Sequence, residues 1–122
     1  MEFTIEHKPT YATIHLSGNL DAAAAKALCN EIAQWKTTIA PRFIIDMKEV
    51  TQMDLEATST LMELHEQVYE DEGSLVFVTL QEDVLQMMKK AQLHLSLNLC
   101  PTLIEGIDII SMELLERDLL NE

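Results

Sequence analysis

The sequence predicts an α/β fold: one domain with a mostly parallel central sheet of about five strands, flanked by about four helices. Three observations carry that prediction. Apolar and polar residues alternate near the N-terminus, two later runs (FIIDM at 43–47 and SLVFVTL at 74–80) are apolar on both faces, and stretches with apolar residues three and four apart fall between and after them. A strand that is apolar on both sides needs cover on both sides, and helices alternating with such strands provide it. At 122 residues the chain fits a single domain, 1–122, long enough to bury a core.

Residues 2–6 and 11–17 alternate (Phe3, Ile5; Ala12, Ile14, Leu16) around Lys8-Pro9-Thr10, which predicts two antiparallel strands. Gly18-Asn19-Leu20-Asp21 is expected to close the second strand, with Asp21 capping a helix over 22–38. The buried stripe of that helix is Ala25, Leu28, Ile32, Trp35 and Ile39, with Trp35 a packing anchor. Pro41 precedes a central strand over 42–47, and a polar connector follows it. The second helix is expected at or just after Asp54, over 55–71, with Asp54 as its cap and Glu56 in its first turn. Leu61, Leu64 and Val68 point inward, and Gly73 is the expected C-cap.

The run 74–80 reads as a buried strand, 82–93 as a short helix with Val84, Met88 and Ala91 inward, and 97–100 as a brief strand stopped by Pro101. A long helix over 103–120 ends the chain with two apolar stripes. One holds Leu103, Ile107, Ile110 and Leu114; the other holds Ile104, Met112, Leu115 and Leu119. One stripe suffices to cover a sheet. The second is left for a neighbouring helix, a partner or a second copy of the chain, so a homodimer through the last helix stays open.

Eight basic residues against 21 acidic give a net charge of −13, which repels phosphate backbones and anionic lipids. Neither nucleic-acid binding nor direct membrane contact is expected. No apolar run approaches the ~20 residues that span a bilayer, and MEFTIEHKPT lacks the features of a signal peptide, so a cytoplasmic location is expected. Cys29 and Cys100 read as reduced core residues.

Sites with chemistry are absent by pattern. The three glycines, Gly18, Gly73 and Gly106, are too far apart for a phosphate-binding loop. His65-Glu66 has Tyr69, not a second histidine, four residues on, and His7, His15 and His94 lie on separate elements. Carboxylate pairs such as Asp46 with Asp54, or Glu63 with Glu66, follow from acidic abundance, and Glu70-Asp71-Glu72 reads as a solvated helix end that serves solubility or, as the alternative, meets a basic partner. Ser17, Ser59, Ser74, Ser96 and Ser111 lack a nucleophile-elbow context. No metal, no cofactor and no enzymatic activity are expected.

The element order, together with Ser17-Gly18-Asn19-Leu20-Asp21 and with Ile44-Ile45-Asp46-Met47 followed by Val50 and Met53-Asp54, resembles the STAS domain of anti-sigma factor antagonists over nearly the whole chain. The first motif is similar to the family's G-x-L-D turn, the second to its strand, apolar spacer and M-D helix start. The resemblance implies a small, non-enzymatic regulatory domain. Its protein partner would be an anti-sigma factor kinase or a related regulator, docked on Asp21, Met53, Asp54, Leu55, Glu56, Ala57, Thr58 and Ser59.

In the family the residues after that aspartate usually read S-S-G or S-T-G, and the partner kinase phosphorylates the first serine. Here Leu55, Glu56 and Ala57 stand in those places. The resemblance therefore implies no phosphorylation at the usual position, Leu55, with Ser59 a displaced alternative. Glu56 supplies a permanent charge smaller than the −1.5 to −2 of a phosphate, and Ala57 in place of glycine favours helix by up to ~1 kcal/mol. STAS-like domains also occur as small cytoplasmic accessory subunits of lipid transporters, which is the alternative reading. Nucleotide or small-ligand binding at the helix start is a third, and the acidic residues there oppose an anionic ligand.

Overall fold

A computed structural model describes residues 2–35 and 41–120. Five strands lie side by side in chain order: β1 (Glu2–His7), β2 (Ala12–Leu20), β3 (Arg42–Met53), β4 (Ser74–Val78) and β5 (Asn98–Cys100). β1 runs antiparallel to β2, and the other neighbours are parallel. The helices are α1 (Ala22–Trp35), α2 (Ala57–Glu70), α3 (Glu82–Lys90) and α4 (Leu103–Leu120), with a 3-10 turn at Leu93–Leu95. The expected single α/β domain with a mostly parallel five-stranded sheet and four helices is what forms.

The pleat sorts the strand residues onto two faces. Ile14, Leu16, Phe43, Ile45, Leu75 and Phe77 meet Leu28, Leu61, Val84 and Met88, so α1, α2 and α3 share one side of the sheet. Ile44, Val76, Val78 and Cys100 point the other way, against Ile110 of α4. α4 approaches the sheet closely through Gly106, where a Cβ would stand 2.7 Å from Val78 Cγ1.

Several boundaries differ from the sequence reading, for identifiable reasons. β3 does not stop at Met47: the supposed polar connector continues the strand to Met53, paired with a β2 that runs on to Leu20 (Gly18 beside Val50, Leu20 beside Met53). Past Met47 every third residue of β3 is buried, Val50 and Met53, so the period-two signal disappears. Two bulges in β3 cause this, each setting one extra β3 residue against β2, between Asp46 and Glu49 and between Val50 and Gln52; Gly18, with φ of 109°, stands opposite the second. β4 ends at Val78 because Thr79 turns into the left-handed region, φ 56°. α3 ends at Lys90, which leaves Ala91 half-buried, and β5 begins at Asn98.

α2 begins at Ala57, two residues later than expected, and closes with a Schellman motif: Glu72 N–H to Tyr69 O and Gly73 N–H to Val68 O, 2.8 Å. The left-handed residue is Glu72, not Gly73. Gly73 is needed for space, since a Cβ there would lie 2.1 Å from the Pro41 carbonyl oxygen.

On α4 the first stripe is inward at Ile110 and half-buried at Ile107 and Leu114, whereas Leu103 is exposed; the second stripe faces outward along its length. Trp35 packs on the core and meets the His7 ring edge-on at 4.6 Å. The expected end of the first helix at 38 and the stripe residue Ile39 lie outside the described residues. Cys29 and Cys100 are free thiols, and burial pushes both up in pKa.

Candidate functional site

Two parallel strands that end side by side set two helix starts next to each other. Leu20 and Met53 are register partners, and Asp54 N–H donates to Leu20 O at 3.0 Å, which ties the start of α2 to the end of β2. Asp21 caps α1 as expected, its Oδ1 accepting from Ala24 N–H at 2.8 Å. Asp54 does not cap α2 through its side chain. Its carbonyl accepts from Ala57 N–H at 3.1 Å, and the Leu55 carbonyl accepts from both Thr58 N–H, 3.1 Å, and Thr58 Oγ1, 2.7 Å. Leu55 and Glu56 therefore form a tight turn ahead of the helix. Glu56 occupies the N-cap position with helical backbone and no side-chain capping bond, so neither carboxylate is consumed by the helix end.

That local geometry divides the sequence-predicted residues. Ala57 is fully buried and Met53 nearly so; both belong to the core beneath the site. Asp21, Asp54 and Thr58 are half-buried, while Glu56 and Ser59 are exposed. Leu55 is 61% exposed, a large apolar side chain raised between two carboxylates. Beside it an open groove of about 340 Å³ runs between the end of β3 and α3, lined by Thr51, Gln52, Met53, Asp54, Asp83 and Met87. The surface is thus acidic and apolar together. Among the described residues no group of His, Cys, Asp and Glu could hold a metal ion, and no helix is long and apolar enough to cross a membrane.

Two polar clusters were not visible in the sequence. His15 of β2 and Asp46 of β3 are register neighbours, and His15 Nδ1 lies 2.8 Å from Asp46 Oδ2. Asp46 Oδ1 accepts from Lys48 N–H at 3.0 Å and from the Thr79 hydroxyl. Burial alone would push the Asp46 carboxyl up; the bonds from Thr79, Lys48 and His15 outweigh it and hold the group below its usual value. Thr79, a β-branched residue at positive φ, is kept in that uncommon conformation by this carboxylate and by Thr79 N–H to Cys100 O, 3.2 Å.

The second cluster joins α2 to α4. Tyr69 OH donates to Glu113, 2.8 Å, and accepts from Asn98 Nδ2, 2.6 Å, while the Arg117 guanidinium stands 5.8 Å from the centre of its ring. Burial, then the Glu113 carboxylate, pushes the phenol up to about 12. The His65 ring packs on Tyr69 in a tilted contact, centroids 4.6 Å apart, and burial holds its imidazole below the ordinary value. One signal was available for His15, Asp46 and Asn98: partly buried polar residues at strand positions need partners. Their partners lie too far along the chain to be read.

Comparison with known proteins places the architecture. The fold matches protein TM1081 of Thermotoga maritima, with TM-score 0.79 and 11% identity over 89% of this chain and 94% of that one. An anti-sigma factor antagonist from Mycobacterium paratuberculosis superposes with TM-score 0.73 and 19% identity, covering 90% of this chain and 93% of that one. A segment of the murine Solute Carrier 26 family member A9 anion transporter does so with TM-score 0.73 and 11% identity, over 88% of this chain and 18% of that one. At such identities the likeness concerns the fold alone. No curated protein sequence matches the chain. The family model of the STAS domain matches residues 2–106, which takes in both strand ends, the start of α2 and the first turn of α4, and the chain therefore belongs to the STAS domain family.

Proposed function

We propose that this STAS domain is a non-enzymatic docking module that binds an anti-sigma factor kinase, or a related cytoplasmic regulator, through the start of α2. In this reading no serine phosphorylation switch operates at Leu55. The observation that carries it is the exposed Leu55 between Asp54 and Glu56, which the sequence resemblance aligns with the family's phosphorylated serine. Burying a leucine of this kind in a partner is worth about 1.5–3 kcal/mol, and the flanking carboxylates select a partner surface that is apolar and basic. Asp21, Thr58 and Ser59 frame the contact; Met53 and Ala57 support it from the core.

Affinity capture from the native cell's lysate, with wild type beside Glu56→Lys, tests the reading when both captured proteins and bait are analysed by mass spectrometry. The expected result is recovery of a kinase-like anti-sigma factor by wild type, altered recovery by the variant, and a bait without phosphate. A purified partner should show a Glu56→Lys effect well above the ~0.5 kcal/mol of a neutral surface change. Leu55→Ser alone should not restore switching, because Glu56 and Ala57 also differ from the family's pattern; efficient, reversible phosphorylation of that variant by the captured kinase would count against this. A leucine in place of the acceptor equally suits a constitutive accessory subunit of a transporter. That second reading is upheld if transporter subunits are recovered equally by wild type and variant.

A further inference from the structure

α4 carries apolar residues on opposite sides, and the sheet uses one of them. Gly106 and Ile110 are buried on β4. Ile104, Met112, Leu115 and Leu119 share the opposite face and are 72%, 61%, 60% and 60% exposed. A contiguous exposed stripe of large side chains on a folded domain marks a surface that another molecule covers.

The charges around the stripe say what kind of molecule. Glu105 and Glu116 border it on one side and Asp118 on the other, and Asp108 falls within it; all four are exposed. The one basic residue of the helix, Arg117, is turned inward, its guanidinium bonded to Ser74 Oγ at 3.1 Å and to the Gly73 carbonyl. Among the described residues, the outer face of α4 therefore offers apolar side chains and carboxylates without an ion-pair partner, with no cation among them.

We propose that this face is a docking surface for a cationic amphipathic helix supplied by another protein. Such a helix lays its apolar side along Ile104, Met112, Leu115 and Leu119 and sets lysines or arginines against Asp108, Glu116 and Asp118. A second copy of the chain fits poorly: pairing α4 with itself brings these carboxylates against their equivalents, in a protein of net charge −13. An anionic lipid surface is repelled for the same reason. The surface is separate from the start of α2 and does not depend on the function proposed for it.

The test uses the full chain, a fluorescein-labelled synthetic leucine–lysine amphipathic helix, and a control peptide with glutamate in place of lysine. Anisotropy should report binding of the lysine helix and none of the glutamate helix, weakening as salt is added. The double variant Leu115→Ser/Leu119→Ser keeps every charge, and it should weaken binding at least about tenfold while leaving the urea unfolding midpoint unchanged. Amide shifts in a 15N-labelled sample should concentrate in α4. Undiminished binding by the double variant, or shifts centred on residues 54–59, would overturn the proposal. So would a dimer in sedimentation, or adsorption to phosphatidylcholine vesicles, that the same double variant abolishes.

Discussion

Replacing Gly106 by alanine tests how α4 is seated. The added Cβ would lie 2.7 Å from Val78 Cγ1, 3.5 Å from Val76 Cγ1 and 3.9 Å from Ile44 Cδ1. Carbon atoms in contact prefer about 3.5–4.0 Å, so the helix must lift or Val78 must move by most of an ångström. Val78 is fully buried and, being β-branched, has little rotamer freedom with which to yield. Overpacking of this kind costs about 1–3 kcal/mol. Alanine regains up to ~1 kcal/mol of helix propensity over glycine, which leaves a net loss centred near 1 kcal/mol. Urea unfolding at 25 °C should show the midpoint fall with an unchanged slope. In a Val78→Ala background the obstructing methyls are gone, so the same Gly106→Ala change should be neutral or stabilising by up to ~1 kcal/mol. The two substitutions would then be coupled by about 1–3 kcal/mol. Equal effects of Gly106→Ala in both backgrounds would refute the reasoning, as would stabilisation in the wild-type chain.

Three further outcomes follow from the polar groups. Tyr69→Phe leaves Glu113 and Asn98 without their shared partner and should cost about 1–3 kcal/mol; ultraviolet titration should find one of the two tyrosines ionising near 12. Because that folded value lies above the unfolded one, the stabilisation is intact below pH ~10 and is lost as pH rises toward 12. Asp46 has the opposite sign: its folded pKa lies below 3.8, so its contribution is present above that value and disappears as pH falls through the lower one. Asp46→Asn should therefore lower stability at neutral pH and flatten the acid limb of the stability curve. Asp21→Ala removes the Ala24 N–H acceptor and should cost ~1 kcal/mol in urea unfolding, with α1 amides near residue 24 exchanging faster.

The α2 start shows why the site was only partly legible. Its place after β3 could be read, because an apolar run giving way to helical spacing is a local signal. Which of its residues meet solvent could not. Ala57 is wholly buried and Leu55 largely exposed, a division set by where the turn ahead of α2 aims each side chain, and that turn depends on Asp54 N–H reaching Leu20 across the sheet. The lengths of β2 and β3 were hidden by bulged pairing, which destroys strict alternation in the very segments it joins.

By itself the sequence determined the order and type of the elements, the α/β class, the acidic character and the cap at Asp21. All of these depend on periodicity, composition or neighbours a few residues away. Only the tertiary structure decided that His15 meets Asp46, 31 residues on, that Thr79 joins them from 33 residues further, and that Tyr69 reaches Glu113 across 44. It also decided which stripe of α4 faces the sheet. Both stripes have helical spacing, and the choice falls to Gly106, whose missing side chain lets that face alone approach Val78 closely enough to pack.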